Sequence, residues 1–319
     1  MIKTINTAHQ FVEGIPSTNN KQPKRIPLPQ LEKFDPELFE REYSTPGKPA
    51  ILKGAASSWR AVTSWTPQSF AAKYKDIQIN PKVNLPDSEV PYVYKDKNHR
   101  QEMTISEFVT LMESGNRCYF DQANTKSFED LQKDFDFKEL GAWDLKLIGL
   151  WMGASTCSGL HYDWSDNLLV QVHGTKKAVL ASPEDSPNLY PFPDNHTKSQ
   201  VAAENPDLKA HPRLEYVTFL DGTLEPGDVL FIPKGWWHYL KSSESSISLT
   251  CWFGISQTPM DQLKTIIRMR RLSIWIALVR DFLWHGVLNR PFEYRLYGLP
   301  PTGQMTHELL VSLLKLRRR

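Results

Sequence analysis

The sequence contains few cysteines and no paired cysteine motif. Its 319 residues include only Cys118, Cys157 and Cys251, which lie far apart and are odd in number. Without a Cys-X-X-Cys pair, the sequence predicts neither a disulfide framework nor a thiolate zinc site. Because disulfides are rare in reducing compartments, we expect an intracellular, cytoplasmic protein.

Long apolar runs and a strong net charge are also lacking. The first ten residues have no continuous apolar core of the kind found in secretory signals. The longest apolar stretch near the C-terminus, Leu272 to Val279, is followed by Arg280 and Asp281 and is too short to cross a bilayer. The net charge of +2 gives no general argument for a nucleic-acid-binding protein. We therefore expect no transmembrane segment.

The most informative motif that is present consists of His161, Asp163 and the distant His238. Two imidazoles and one carboxylate can occupy one face of an octahedral metal and leave the other positions open. If His161 and Asp163 lie on a strand, their side chains point to the same side, because residues two apart share a face. His238 must then come from another element, which suits a β-barrel with a metal at its mouth. The motif predicts a non-haem Fe(II) oxygenase.

The composition pattern divides the chain into three parts. Residues 1–24 are polar and without periodicity, which predicts a flexible leader. Residues 25–255 are expected to form the catalytic domain, and residues 256–319 a C-terminal helical extension that is a possible dimerisation element.

The local patterns predict helices and strands within these parts. Helices are expected to begin at Asp35-Pro36 and Thr66-Pro67 and to cover 105–113, 260–284 and 306–316. Strands are expected at 49–54, 91–94, 117–121, 147–152, around His161, at 168–173 and 176–181 as a hairpin, and at 230–233, 237–241 and 247–253. A small-residue turn is expected at 155–159, a loop link at 291–303, and a long insertion at 183–223.

Charge balance suggests what else a ferrous site would need. Fe(II) with Asp163 carries +1, and a doubly negative 2-oxoglutarate brings the sum to −1. A buried lysine restores neutrality, and uncompensated buried charge is costly. Lys176 is the predicted partner of the distal carboxylate. Tyr119 and Ser158 could share that carboxylate, and Asn167 could orient the end of the co-substrate nearer the metal.

Each of these residues also has an ordinary structural interpretation. Lys176 could be a solvated turn residue, Tyr119 a core residue, and Ser158 and Asn167 turn and strand-start residues. Lys177 adjoins Lys176, and strand alternation allows only one of the two to point inward. The sequence leaves that choice open.

Two runs of sequence carry a family resemblance. The segments 161–183 and 225–238 resemble the JmjC/cupin-like Fe(II)- and 2-oxoglutarate-dependent oxygenases. Within this family they are similar to the hypoxia-inducible-factor asparaginyl hydroxylase. Through 166–169 and 204–208 they are still more similar to the tRNA wybutosine-synthesising hydroxylase.

The resemblance implies a mainly β fold with flanking helices. The expected architecture is a double-stranded β-helix, the jelly-roll barrel of cupins, with N-terminal α/β elements and a C-terminal helical extension. It also implies a site, whose iron ligands would be His161, Asp163 and His238 and whose 2-oxoglutarate contacts would be Lys176, Tyr119, Ser158 and Asn167. The implied reaction is hydroxylation of a C–H bond, with release of succinate and CO2.

The substrate and partners are less constrained by the sequence. A peptide or protein side chain is the first expectation, and a modified tRNA nucleoside or a small metabolite is the alternative. A metal-binding cupin without oxygenase activity is a further alternative, although it would not need Lys176. The basic cluster around Arg268 and Arg271 could face RNA or a membrane, or be a solvated helix face. We expect a homodimer formed through the C-terminal helices.

Overall fold

The architecture is mainly β, as predicted. The computed structural model describes residues 22–93, 96–125, 128–256, 258–291 and 301–316. The strands in these residues are β1 Lys24–Pro27, β2 Gln30–Leu31, β3 Ala50–Leu52, β4 Gln78–Ile79, β5 Met103–Thr104, β6 Cys118–Asn124, β7 Leu147–Cys157, β8 Asp166–His173, β9 Lys176–Ala181, β10 Thr218–Leu224, β11 Val229–Ile232 and β12 Trp237–Phe253.

Helices lie before and after the strand-rich part of the chain. The α-helices are α1 Pro36–Phe39, α2 Arg60–Ser64, α3 Pro67–Tyr74, α4 Ile105–Glu113, α5 Pro259–Arg268, α6 Leu272–Asp281 and α7 Thr302–Leu316. Shorter 3-10 helices occur at Pro91–Val93, Asp96–His99, Leu131–Asp134, Phe137–Leu140, Pro183–Asn188 and Pro212–Tyr216, and π-helical turns at Glu40–Ser44 and Phe282–Val287.

The long strand β12 organises the sheet. Its first part, residues 237–241, pairs with β9, and its last part, residues 247–253, pairs with β8. A register shift between Ser242 and Ser245 separates the two parts, and β7 pairs along most of the strand. The sheet order is β1-β10-β9-β12-β8-β11-β3-β2, with β7 beside β12 and β6 beside β7. This curled sheet is the jelly-roll, or double-stranded β-helix, of the cupin fold.

The turn between β8 and β9 fits closely over the bulge of β12. Gly174 has φ +70°, and a Cβ added there would lie 2.2 Å from the carbonyl oxygen of Ser245. Only glycine tolerates both this backbone conformation and this close approach. β8 and β9 both pair with β12 and not with each other, so the predicted hairpin is wrong.

Three apolar clusters fix the sheet and its surroundings. The barrel interior is apolar around Leu169, Leu180 and Leu230. A second cluster packs the N-terminal helices on the sheet, with Phe70 of α3 and Phe108 of α4 buried in it. A third joins the insertion to α5 and α6; its members in these helices are Ile266, Ile274 and Leu278, and Met269 lies just after α5.

Local signals predicted several helices correctly. Asp35 caps α1 by accepting a hydrogen bond from the amide of Leu38, with Pro36 at the first helical position. Thr66 caps α3 in the same way. The helix predicted at 105–113 is confirmed as α4, and Thr104 with Glu107 forms its capping box.

Other predicted elements differ from the structure. Pro91–Val93 forms a 3-10 helix rather than the start of a strand, and residue 94 lies outside the described residues. β7 continues through most of the turn predicted at 155–159, and the two strands predicted at 237–241 and 247–253 are one strand. The insertion contains β10.

The predicted C-terminal helix at 260–284 is broken. Arg270 has φ 47°, which a right-handed helix does not accommodate, and it separates α5 from α6. α7 begins at Thr302, four residues earlier than predicted. The predicted leader 1–24 lies outside the described residues as far as residue 21, and most of the link at 291–303 does so as well. Among the described residues, no helix is both long and apolar enough to span a membrane.

Glu204 fastens the insertion to the outer face of the barrel. Its carboxylate accepts hydrogen bonds from Lys177 of β9 and Lys241 of β12, each at 2.7 Å. Burial alone would raise the pKa of Glu204, but the two lysines outweigh it and lower the pKa to about 2. Folding therefore favours the ionised carboxylate, and the two strands are bridged by one anion.

We expect Glu204→Gln to reduce the free energy of unfolding by about 1–2 kcal/mol at pH 7, because two charge-assisted hydrogen bonds become weak. Since the pKa in the folded protein lies below the ordinary 4.5, the contribution is fully present above pH 4.5 and is lost as the pH falls towards 2. Urea denaturation at several pH values measures this difference. Glu244→Gln, at an exposed position of β12, is the matched control and should change stability little; equal effects of both variants would contradict the assignment.

Candidate metal centre

The two histidines of the predicted triad are joined through their backbones. The amide of His161 donates to the carbonyl oxygen of His238 at 3.0 Å, and the amide of His238 donates back at 2.6 Å. His161 is held by this isolated bridge and by another to Lys198, not by the extended strand predicted around it. The pairing brings the start of β12 beside the segment that follows β7.

Hydrogen bonds orient both imidazoles. The Nδ1 atom of His161 lies 3.0 Å from the carbonyl oxygen of Gly159, and the Nδ1 atom of His238 lies 3.0 Å from that of Trp236. A carbonyl can only accept, so each Nδ1 carries the proton and each Nε2 carries the lone pair. The ring centroids are 4.2 Å apart. The geometry leaves the two Nε2 atoms as the ligating atoms.

Burial keeps these rings in the form that binds metals. Burial, together with the nearby Lys198 and His238, lowers the pKa of His161 well below its ordinary value. Burial also lowers the pKa of His238, although Asp163 acts in the opposite direction. Both imidazoles are therefore neutral at pH 7, as ligation requires.

Asp163 completes a compact group with the two histidines. Its Oδ2 atom lies 3.8 Å from Nε2 of His238, and the ligand atoms of His161, Asp163 and His238 all lie within 4.8 Å of one another. The carboxylate is 27% exposed, so the group opens towards the surface. Two imidazoles and one carboxylate that converge from one side form a facial set of ligands suited to Fe(II).

Tertiary contacts, and not strand alternation, hold Asp163 in place. The indole Nε1 of Trp252 donates to Oδ2 at 2.9 Å, and the amide of Gly235 donates to the backbone oxygen at 2.8 Å. Trp252 pairs with Asn167 across β8 and β12. The last strand of the sheet therefore orients the carboxylate.

The structure distinguishes Lys176 from Lys177. Lys176 is buried, and its Nζ donates to the hydroxyl of Ser248 at 2.6 Å. Lys177 points to the outer face and pairs with Glu204. Burial lowers the pKa of Lys176 to about 7. The inward lysine is thus the one in the buried position that the charge argument required.

Asn167 is the second buried polar group in the barrel. It is 3% exposed, and its Oδ1 atom has no hydrogen-bond partner among the described residues. Its strand partners are Ile232 on β11 and Trp252 on β12. A buried amide oxygen without a partner is rare in a stable core and is typical of a place where a bound water or ligand donates to it.

Tyr119 and Ser158 occupy different environments. Tyr119 lies against Gly153, where an added Cβ would come within 2.8 Å of the ring, and it stacks near Trp151 with centroids 5.6 Å apart. Burial raises the pKa of Tyr119, so the phenol remains a proton donor. The Ser158 hydroxyl accepts from the amide of Leu240 and lies 3.1 Å from the oxygen of Gly159. Its part in co-substrate binding remains a prediction.

Sequence reasoning missed four polar residues that face this region. They are Gln171, Lys198, Ser248 and Thr250, all buried. Gln171 and Ser248 are polar residues in otherwise apolar strands. Because residues two apart on a strand share a face, the sequence did contain a signal that they face the same interior as their buried neighbours. Lys198 lies in the insertion, and no local pattern links it to His161. Burial lowers its pKa to about 8, while Asp163 raises it.

Comparison with known proteins identifies the class. A family model described as a cupin-like domain matches residues 36–258. The chain therefore belongs to the cupin-like domain family, and its motifs resemble those of the JmjC/cupin-like Fe(II)- and 2-oxoglutarate-dependent oxygenases.

Three relatives show what the chain is similar to. Lysine-specific demethylase 8 of Xenopus tropicalis is 32% identical over 71% of this chain and 52% of the relative. Jumonji C domain-containing protein 5 of Drosophila melanogaster is 28% identical over 74% and 61%, and HSPB1-associated protein 1 of Mus musculus is 26% identical over 74% and 54%. The chain spans little more than half the length of these relatives.

We expect Trp252→Phe to weaken Mn(II) binding by about tenfold, because the ring is retained while the donor that orients Asp163 is lost. Electron paramagnetic resonance of free Mn(II) measures the affinity. Trp151→Phe is the matched control, since its indole donates to Thr250 and not to Asp163. The same affinity in both variants would show that the hydrogen bond to Asp163 does not position this ligand.

Proposed function

We propose that this protein is an Fe(II)- and 2-oxoglutarate-dependent dioxygenase that oxidises a C–H bond on a protein side chain. The observation that carries the proposal is that one face of β12 contacts both the metal group, through Trp252 and Asp163, and the buried Lys176, through Ser248. Such a lysine is needed by an enzyme with a dicarboxylate co-substrate, and a simple metal-binding cupin has no use for it.

The residues present fit both groups. His161, Asp163 and His238 would hold Fe(II), and Lys176 would neutralise the distal carboxylate of 2-oxoglutarate. The Asn167 side chain and the Tyr119 and Ser158 hydroxyls are the remaining predicted contacts. When bound, iron and 2-oxoglutarate supply oxidative decarboxylation coupled to C–H oxidation, with succinate and CO2 as by-products.

The protein itself contributes position and a dry environment. Trp252 orients Asp163, and backbone carbonyls fix both imidazoles. Trp236 packs beside the apolar interior, and Trp164 beside the cluster under the insertion. Excluding water strengthens the electrostatic interactions of Lys176 with a bound anion.

The names of the relatives favour a protein substrate. Two of the three relatives described above have names that refer to lysine demethylation or to the JmjC domain. Hydroxylation and N-demethylation begin with the same C–H oxidation, so the proposed site serves either outcome. The alternative of a tRNA nucleoside rests on the motif similarity of 166–169 and 204–208. None of the three relatives has a name that refers to tRNA or to a small metabolite.

The proposal is tested with protein loaded anaerobically with Fe(II) and 2-oxoglutarate. We expect a visible charge-transfer band, followed after oxygen is admitted by succinate and a +16 Da or −14 Da change in an extract protein. Lys176→Met should raise the 2-oxoglutarate concentration for half-saturation by at least about tenfold, because a buried ion pair is lost. Optical titration and mass spectrometry provide the measurements.

Lys177→Met is the control for this prediction, because that side chain lies outside the barrel. It should leave the half-saturating concentration near the wild-type value. Absence of the absorption band in the wild-type protein would contradict the proposed function, and equal effects of the two variants would contradict the role of Lys176.

We also propose that the C-terminal helices pair two copies of the chain. These helices expose a group of apolar side chains that a second copy could bury, and the exposed Arg280 and Arg290 lie beside them. The exposed apolar residues are Leu272, Ile276, Val279, Leu283, Trp284, Val287, Leu288, Leu310 and Leu314. The opposite side, with Ile274 and Leu278, packs on the insertion.

A homodimer should be seen in sedimentation velocity at micromolar concentration. The double substitution Leu272→Glu and Ile276→Glu should shift the protein to monomer, because it would bury four carboxylates in the apolar contact. Val93→Glu changes an exposed apolar residue elsewhere and is the control. A wild-type protein that sediments as a monomer would refute the pairing.

A further inference from the structure

The ammonium group of Lys176 is hydrogen-bonded to a short series of neutral side chains. Its Nζ donates to the Ser248 hydroxyl at 2.6 Å, and that hydroxyl donates to Oε1 of Gln171 at 2.8 Å. Gln171 and Ser248 are fully buried, and Lys176 is 6% exposed. The lysine is thus attached to β8 and β12 through two uncharged side chains.

The direction of each hydrogen bond in this chain is determined. The Gln171 amide nitrogen lies 2.7 Å from the oxygen of His173, 2.9 Å from that of Gly174 and 3.0 Å from the Ser246 hydroxyl. Its Oε1 atom must therefore face Ser248. Since Oε1 can only accept, the Ser248 proton points to it, and the Ser248 oxygen presents its lone pairs to Lys176.

The surroundings of Lys176 contain no counter-charge among the described residues. The groups facing it from β8, β10 and β12 are Gln171, Leu224 and Ser248. None of the titratable groups on these three strands contributes to the lowered pKa of Lys176, for which burial is the cause. These groups are Asp166, His173, Asp221, His238, Tyr239, Lys241, Glu244 and Cys251. The ammonium is therefore costly until an anion arrives.

We propose that Gln171 and Ser248 are positioning residues that hold Lys176 with neutral partners only, so that Lys176 takes up a proton from solvent as the dicarboxylate co-substrate binds. The inference rests on the proposed function and deepens it. The neutral partners fix the depth of the nitrogen without competing for its charge. The incoming carboxylate then supplies the counter-ion that makes the protonated form stable.

The number of protons taken up is measurable by calorimetry. Mn(II)-loaded protein is titrated with 2-oxoglutarate in two buffers of different ionisation enthalpy, at pH 6.0 and pH 8.5. With the pKa of Lys176 lowered to about 7, we expect uptake close to one proton at pH 8.5 and little at pH 6.0. Pyruvate has the keto acid without the distal carboxylate, and its binding should take up no proton.

Three variants separate positioning from a merely structural role. Ser248→Asp places a carboxylate beside Lys176, so the lysine is already protonated; uptake should vanish and the 2-oxoglutarate affinity should fall by about tenfold or more. Ser248→Ala should retain the uptake and lose about threefold to tenfold in affinity. Lys177→Met should match the wild type in both. Thermal melting checks that each variant is folded, and Ser248→Ala keeps the test valid if Ser248→Asp does not fold.

Two results would overturn the inference. One is tight 2-oxoglutarate binding by the wild type with no difference in proton uptake between the two pH values. The other is a Ser248→Asp variant that folds and binds as tightly as the wild type. Either result leaves the oxygenase proposal standing, whereas a wild type that shows no Mn(II)-dependent binding of 2-oxoglutarate overturns both.

Discussion

The site depends on the continuity of β12. This strand begins at the metal group with His238, bends at the bulge after Ser242 and returns to the group at Trp252, whose indole binds Asp163. Between these ends it carries Ser248, the partner of Lys176. The positions of the metal group and the buried lysine are therefore set by strand register with β8 and β9, which side-chain alternation makes strict, and not by loops.

The polar interior has a physical cost that the rest of the fold offsets. Barrel strands with apolar side chains such as Leu169, Leu180 and Leu230 provide a dry lining. Asn167 and Lys176 lie in the same barrel, one with an unsatisfied oxygen and the other with neutral partners only. Buried groups of this kind destabilise an empty core, so their coexistence is typical of a ligand site.

Elements specified by neighbouring residues were predictable. Helices α3 and α4 begin where Thr66 and Thr104 cap them, because capping is a contact within four residues. Pairings between distant segments were not. β8 and β9 have the spacing and turn of a hairpin, yet each forms its hydrogen bonds with β12. The bulge at Ser242 bends β12, so that one long strand can pair with both. The helix break at Arg270 also accompanies tertiary contacts, because Met269 and Ile274 on either side of it both pack against the insertion.

The sequence alone determined the chemical identity of the candidate site: the residue types and spacing of His161, Asp163 and His238 name the donor set and the family. Alternation also required that only one of Lys176 and Lys177 point inward. Which lysine does so was decided by the pairing of β9 with β12, because a shift of one residue in register turns every side chain to the other face. The tertiary structure likewise decided that Trp252 holds Asp163 and that Ser248 holds Lys176, since these contacts join residues more than 70 positions apart.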